Sequence, residues 1–121
     1  MPENNTVLDE SILNSIKKLL GVALENTVYD DVIALHINTA LADIVSMGVG
    51  PKDGYRISGS NNQWSEFLGN VKPELIENTK TLVYIKVRLI FDPPKNSAII
   101  ESFSARAKEI EYRIYTEKGG Y

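Results

Sequence analysis

Cysteine is absent from these 121 residues, and histidine occurs once, at position 36. Without cysteine there is no disulfide framework, no thiolate zinc site and no thiol nucleophile; the absence also fits folding in a reducing compartment. With His36 alone, His-pair metal sites and the HExxH zinc-protease arrangement are excluded. Long hydrophobic runs are lacking too. The most apolar stretch, residues 82–91, is interrupted by Lys86 and Arg88 and is far short of the roughly 20 residues that span a bilayer. The opening Met1-Pro2-Glu3-Asn4-Asn5 has neither the basic nor the apolar region of a signal peptide, so the Asn4-Asn5-Thr6 triplet is not expected to be glycosylated. A basic excess is missing as well. Thirteen Lys and Arg face sixteen Asp and Glu, for a net charge of −3. Residues 1–60 hold 4 basic and 8 acidic side chains, and residues 61–121 hold 9 and 8. A non-specific duplex binder shows a much stronger positive balance.

What is present is a chain of single-domain length, 43% hydrophobic, able to bury a core without metal or disulfide staples. Residues 1–8 read as a frayed arm. Asp9 is then a helix N-cap, followed by Ile12, Leu13, Ile16, Leu19 and Leu20 on one helical face. Lys17 and Lys18 suit the last turns, where the helix dipole favours cations, and Gly21 suits the left-handed residue beyond them. Asn26 or Thr27 can cap a second helix with Asp30 and Asp31 in its first turn. Its apolar residues (Val28, Val32, Ile33, Leu35, Ile37, Ala40, Leu41, Ile44, Val45, Met47) cover more than one face, as in a central helix with several neighbours. Gly48-Val49-Gly50-Pro51 ends it.

Residues 48–64 form a loop-rich insertion punctuated by Gly48, Gly50, Pro51, Gly54 and Gly59. A small β-hairpin over residues 55–64, turning at 59–62, is expected there, and Ser65-Glu66-Phe67-Leu68-Gly69 reads as one helical turn. Residues 72–91 support two periods. Val83, Ile85, Val87 and Leu89 alternate as in a strand, while Leu75, Ile76, Thr79, Leu82, Val83, Val87 and Ile90 make a helical stripe. Pro73 at the first helical position, Glu74 and Glu77 near the start and Lys86 and Arg88 near the far end favour helix; a strand would also lack a partner of comparable length. Asp92-Pro93-Pro94 is a stop. Asn96 or Ser97 caps a last helix to about residue 117, with Ile100, Phe103, Ala107, Ile110 and Ile114 at heptad spacing. Gly119-Gly120 releases a tail over residues 118–121. The predicted fold is all-α: four main helices as a small bundle over residues 9–117, with a hairpin or loop insertion.

Little in this chain specifies catalysis. His36 reads as a structural, hydrogen-bonded residue of a mostly apolar helix rather than a base. Gly48, Gly50 and Gly54 read G-x-G-x-x-x-G after a helix, whereas the dinucleotide fingerprint is G-x-G-x-x-G after a strand. Asp30-Asp31 offers too few oxygens for a carboxylate metal site and is explained by the helix dipole. No cofactor, metal or catalytic residue is expected. Interaction surface is the better-supported idea. Arg106, Tyr112, Arg113 and Tyr115 lie beside the apolar stripe of the last helix, and Arg and Tyr are enriched at protein interfaces; the competing reading makes the tyrosines core and the charges solvated. Trp64 and Phe67 read as covers for the end of the bundle, or as a second partner anchor. A small all-α DNA-binding or regulatory protein is the alternative class, although no short basic recognition helix is visible.

The motifs, taken in order, resemble a known family. Ile12-Leu13-Asn14-Ser15-Ile16-Lys17-Lys18-Leu19-Leu20-Gly21 opens the match; Tyr29-Asp30, His36-Ile37-Asn38 and Met47-Gly48-Val49-Gly50-Pro51 continue it. Trp64 with Phe67-Leu68-Gly69, then Val83-Tyr84-Ile85-Lys86-Val87-Arg88-Leu89 into Phe91-Asp92-Pro93-Pro94, and a closing Glu109-Ile110-Glu111-Tyr112-Arg113, complete it. Over residues 10–114 the chain resembles the head–tail connector (adaptor) proteins of long-tailed phages and prophages, particularly those of Gram-positive hosts.

The resemblance implies a mainly helical bundle that docks on the portal protein at the capsid vertex. It implies a monomer when free and a dodecameric ring when assembled, extending the DNA channel and offering a platform to a head-closure or tail-completion protein. It places the protein in the virion neck, and in the host cytoplasm during assembly, with no membrane and with DNA only as channel cargo. Carried onto this chain, Phe103, Arg106, Tyr112, Arg113 and Tyr115 become candidates for the portal-facing helix. Tyr55, Arg56, Ile57 and Trp64 become candidates for an inter-subunit or channel loop.

Overall fold

The computed structural model describes residues 10–117; the expected arm over residues 1–8, the Asp9 cap and the tail over residues 118–121 lie outside them. Five helices follow one another: α1 (Ile12–Leu20), α2 (Asp30–Ser46), the short α3 (Trp64–Leu68), α4 (Pro73–Phe91) and α5 (Ser97–Glu117). Among the described residues there is no strand, only a single antiparallel bridge between Ser11 and Gln63. The all-α expectation therefore holds, and residues 73–91 are helical with Lys72 in the cap position.

The α1 cap is Ser11, whose hydroxyl accepts the Asn14 N–H at 3.1 Å. The helix ends at Gly21 with φ +80°. There Gly21 N–H bonds Lys18 O at 3.1 Å and Val22 N–H bonds Lys17 O at 2.9 Å, the paired closure that a left-handed residue makes possible. A Cβ at Gly21 would meet no neighbour, so conformation alone favours glycine.

The next stretch departs from expectation. Asn26 and Thr27 do not cap α2, which begins at Asp30 with Tyr29 in the cap position and no side-chain cap bond. The reason is Lys17, only 1% exposed. Its ammonium donates to Leu24 O at 3.1 Å and Asn26 O at 2.9 Å, and pairs with Asp30 Oδ1 at 2.8 Å. Those three acceptors match its three donors and hold the connection as turns, with Asn26 Oδ1 accepting the Val28 N–H at 3.2 Å. These contacts fix the turns that lead into α2 at Asp30.

The central helix is α4, not α2. It packs on α1, α2 and α5, and its buried residues Leu75, Thr79, Leu82, Val83, Ile85 and Val87 spread round the axis. By contrast α2 buries one stripe, Ile33, Ile37, Ala40, Leu41 and Ile44, and turns Val32 and Leu35 to solvent. Excess apolar circumference on α2 thus marks surface, not a second buried face. α5 lies along α4 through Phe103, Ala107, Ile110 and Ile114, with Asn96 as its cap: Asn96 Oδ1 accepts the Ala98 N–H at 2.7 Å. Lys86 ties three helices together, reaching Asp43 of α2 at 3.6 Å and Glu111 of α5 at 3.2 Å.

The expected hairpin over residues 55–64 does not form. Its outgoing arm finds a partner in a helical side chain. The Asn38 amide donates to Ile57 O at 3.0 Å and its Oδ1 accepts Ile57 N–H at 2.7 Å, reproducing the two bonds a neighbouring strand would supply. The returning arm pairs with the entry to α1 instead, through Ile12 N–H to Asn62 O at 2.9 Å and Trp64 N–H to Glu10 O at 3.0 Å. With both arms satisfied elsewhere, no cross-hairpin ladder remains to be made. Gly50, at φ +93°, lets the chain cross directly over Phe67, whose Cε1 would lie 2.5 Å from any Cβ placed there.

Candidate interaction surface

The α5 candidates do not share one face. At about 100° per residue, the buried stripe through Phe103, Ala107, Ile110 and Ile114 divides the rest of the helix into two flanks. Arg106 and Arg113, seven residues apart, occupy one flank. Tyr112 and Tyr115 lie together with Lys108, spaced i, i+4 and i+7, roughly half a turn away on the other. Phe103 belongs to neither flank. It is half-buried, with its ring 6.1 Å from that of Tyr84 and the Arg88 guanidinium 6.0 Å from its centroid. Arg88 also donates to the Tyr84 hydroxyl at 3.0 Å, so this cluster holds α5 to α4. Arg106 pairs with Glu109 at 2.8 Å on the surface, a contact worth little by itself. Tyr112 is 68% exposed, and Arg113 and Tyr115 are exposed too. The reading of the tyrosines as core is therefore set aside: their rings lie largely outside the bundle.

The loop candidates also separate. Trp64 and Ile57 are buried in this chain's own core, and the Trp64 indole N–H donates to Ser15 Oγ at 2.8 Å. Trp64 and Phe67 thus cover the end of the bundle, leaving Tyr55 and Arg56 as the members of the loop set with accessible surface. The Tyr55 ring leans on Phe67 at 5.7 Å between centroids, and its hydroxyl donates to Glu66 Oε1. Asn62 donates to the same oxygen at 3.2 Å while its own Oδ1 accepts Ser58 N–H at 2.8 Å.

Those bonds set the loop's response to pH. Hydrogen bonds from Tyr55 and then Asn62 hold the Glu66 carboxyl below its usual value. Burial, with the bond to Glu66 next, pushes the Tyr55 hydroxyl up to about 12. A depressed carboxylate stabilises the folded form above its unfolded pKa and loses that contribution as pH falls through the folded value. A raised phenol contributes below its unfolded pKa of about 10 and loses that contribution as pH rises through the folded one. Protection of the amides of residues 55–62, taken as the ratio of intrinsic to observed exchange rate, is therefore expected to be greatest between the carboxylate range and about pH 10, falling on either side. Glu66→Gln should remove the acid limb; an unchanged acid limb in that variant would assign it to another group.

The remaining sequence features serve the fold. Asp30 is engaged by Lys17. Gly48, Gly50 and Gly54 all have positive φ, as loop punctuation requires. His36 is half-buried beside Asp43, Lys86 and Leu89 in a shallow depression. Among the described residues no group of three or more His, Cys, Asp or Glu is placed to hold a metal, and no helix is long and apolar enough to cross a membrane. Sequence reasoning missed an exposed apolar set at the start of α2, Val28, Val32 and Leu35. Its signal was the surplus of apolar residues over what one buried stripe needs.

These features describe a rigid helical body whose distinctive groups sit on its outside. The family model described as phage connector protein matches residues 12–120, from the first residue of α1 past the end of α5. Searches of curated proteins and of solved structures found no match. Because the family match takes in all five helices, this chain belongs to the phage connector protein family.

Proposed function

We propose that the protein is a structural head–tail connector that docks on the portal ring, assembles as a dodecameric ring extending the DNA channel, and presents a platform for head closure and tail attachment. The observation that carries this reading is the family match over residues 12–120. The architecture supports it. α5 is anchored to α4 along one stripe and leaves its Arg106–Arg113 flank outward, a surface suited to a partner rather than to a reaction. Portal docking is assigned to that flank, and the Tyr55–Arg56 corner is assigned to a channel or inter-subunit role. In this reading the protein is not an enzyme and resides in the virion neck.

Electron microscopy of particles from the parent phage with this gene disrupted tests it. Heads lacking tails, beside finished tails, are the expected result; complete infectious virions would refute the connector role. The docking flank has its own test. Arg106→Glu combined with Arg113→Glu leaves the core stripe untouched, so helicity and Tm should stay near wild type. Binding to portal rings should fall about tenfold or more, since like charges then face a surface selected for cations. Undiminished binding would place the portal contact elsewhere.

A further inference from the structure

α5 is held to the rest of the protein unlike the other long helices. Of its 21 residues Ile110 and Ile114 alone are buried, both in its second half. By comparison α2 buries five of 17 and α4 six of 19. Earlier along α5, Phe103 and Ala107 are half-buried against the core, and Ile99 is exposed. Its packing partner is α4, which also packs on α1 and α2. Separation of α5 would therefore uncover one stripe of α4 and leave the packing of α1, α2 and α4 on one another in place.

The start of the helix is built to the same effect. Asn96 caps α5 from its own lead-in: Oδ1 accepts Ala98 N–H at 2.7 Å and Ile99 N–H at 3.3 Å, and its carbonyl accepts Ile99 and Ile100 N–H at 3.1 Å each. The cap thus travels with the helix. Before it, Asp92 leaves helical geometry at φ −150° and ψ 71°, and Pro93 and Pro94 have no N–H to carry the α4 ladder onward. The ion pairs across the seam, Lys86–Glu111 at 3.2 Å and Lys72–Glu117 at 3.6 Å, join side chains that are 25–58% exposed, so water can take the place of either partner. Arg88 uses its hydrogen bonds on Tyr84 and on the Asp92 carbonyl and meets α5 through the face of Phe103.

We infer that α5 is a hinged arm, which leaves α4 as one unit about residues 92–95 while α1–α4 stay folded. Proteins open in cooperative pieces of unequal stability, and the piece with least buried area opens first. Helices of this order of length are marginal in water once detached, so opening the seam also releases the backbone bonds of α5. Amide hydrogen exchange therefore reads the event directly. The Arg106–Arg113 flank rides on this arm, so a partner gripping that flank bears on the seam and leaves the core of the body untouched. This consequence rests on the connector reading; the opening itself is a property of the isolated chain.

Native-state hydrogen exchange on the full chain, in rising sub-denaturing urea, tests the arm. Without urea, residues 103–114 should share one level of protection about tenfold or more below that of the slowest α4 amides, with a shallower dependence on urea. Two variants then separate opening of the arm from opening of the whole. Ile37 is fully buried in α2, and Ile37→Val should speed exchange of the slowest α4 amides about threefold or more. It should leave residues 103–114 unchanged, because the closed and arm-open states both carry the substitution. Ile114→Ala should speed both sets by the same factor, because the arm-open and unfolded states both lack the contact it removes. Equal protection of α5 and α4, or equal acceleration of both by Ile37→Val, would overturn the proposal by showing that α5 opens only with the whole protein. Protection climbing residue by residue from the C-terminal end, independent of urea and of Ile114→Ala, would overturn it in favour of simple fraying. Because the measurement uses purified protein, its failure beside a tailless-particle phenotype would remove the arm and leave the connector role standing.

Discussion

Replacing Trp64 with alanine is expected to destabilise the protein by about 3–5 kcal/mol, the usual cost of emptying a large aromatic site in a packed core. The indole is fully buried, and three separate parts of the chain depend on it. Its N–H donates to Ser15 Oγ, which in turn donates to Ile12 O at 3.0 Å; its ring lies 5.5 Å beneath the Lys80 ammonium; and its backbone N–H closes the bridge to Glu10. Alanine would keep only the last of these. Since Trp64 is the sole tryptophan, the transition should be followed by far-ultraviolet circular dichroism in urea. A lower midpoint with an unchanged m-value is expected. Trp64→Phe should recover most of the volume and still cost about 1–2 kcal/mol, because Ser15 Oγ loses a donor in a buried place. A loss under about 1 kcal/mol for the alanine variant would mean that the end of the bundle collapses onto the site far more readily than close packing predicts.

Lys17 should produce the next largest effect, and by a different mechanism. Its ammonium is buried, and it neutralises Asp30 while satisfying two backbone carbonyls. Lys17→Met keeps much of the stem's packing but leaves those acceptors without a donor. Because Asp30 is 27% exposed and can regain water, the cost is set at about 2–3 kcal/mol, below the range for a fully buried pair. Asp30→Ala strands the cation with only neutral partners and should cost a comparable about 2–4 kcal/mol. The double variant is expected to fall short of the sum by about 1 kcal/mol or more, since each single change already removes the shared interaction. Thermal unfolding should register each single variant as a Tm drop of roughly 10 °C. Additivity within about 0.5 kcal/mol would show that the two residues act independently. Hydrogen exchange at residues 22–29 should accelerate in Lys17→Met while α4 stays protected, because the turn is held by the lysine and α4 by burial.

Lys17 also shows where local reasoning stops. At the last turn of a helix a lysine is fully explained by the dipole, and nothing in its neighbourhood along the chain signals that it is buried. Asn26 and Thr27 are equally good caps by type, yet both fall in the turns before α2, where the carbonyl of Asn26 receives a lysine from nine residues away. The α5 candidates repeat the point on a functional surface. Arg106, Arg113, Tyr112 and Tyr115 are legible as unusual surface residues, but only the direction of the buried stripe separates them into two flanks.

Helix identity, order and most boundaries were determined by the sequence by itself. Apolar period, Gly21, the Gly48–Pro51 cluster, Pro73 and the Asp92-Pro93-Pro94 stop act within a few residues of where they stand, and so did the family motifs, which are strings. The tertiary structure alone decided what those elements do for one another. It made α4 central although α2 has the higher proportion of apolar residues, turned part of α2 outward, and dissolved the hairpin by offering Ile57 the amide of Asn38 and Asn62 the entry to α1. Each of these outcomes is a competition for backbone hydrogen bonds or buried area between segments distant along the chain. Such competitions are settled by which partner is brought close on folding, a quantity no local window contains.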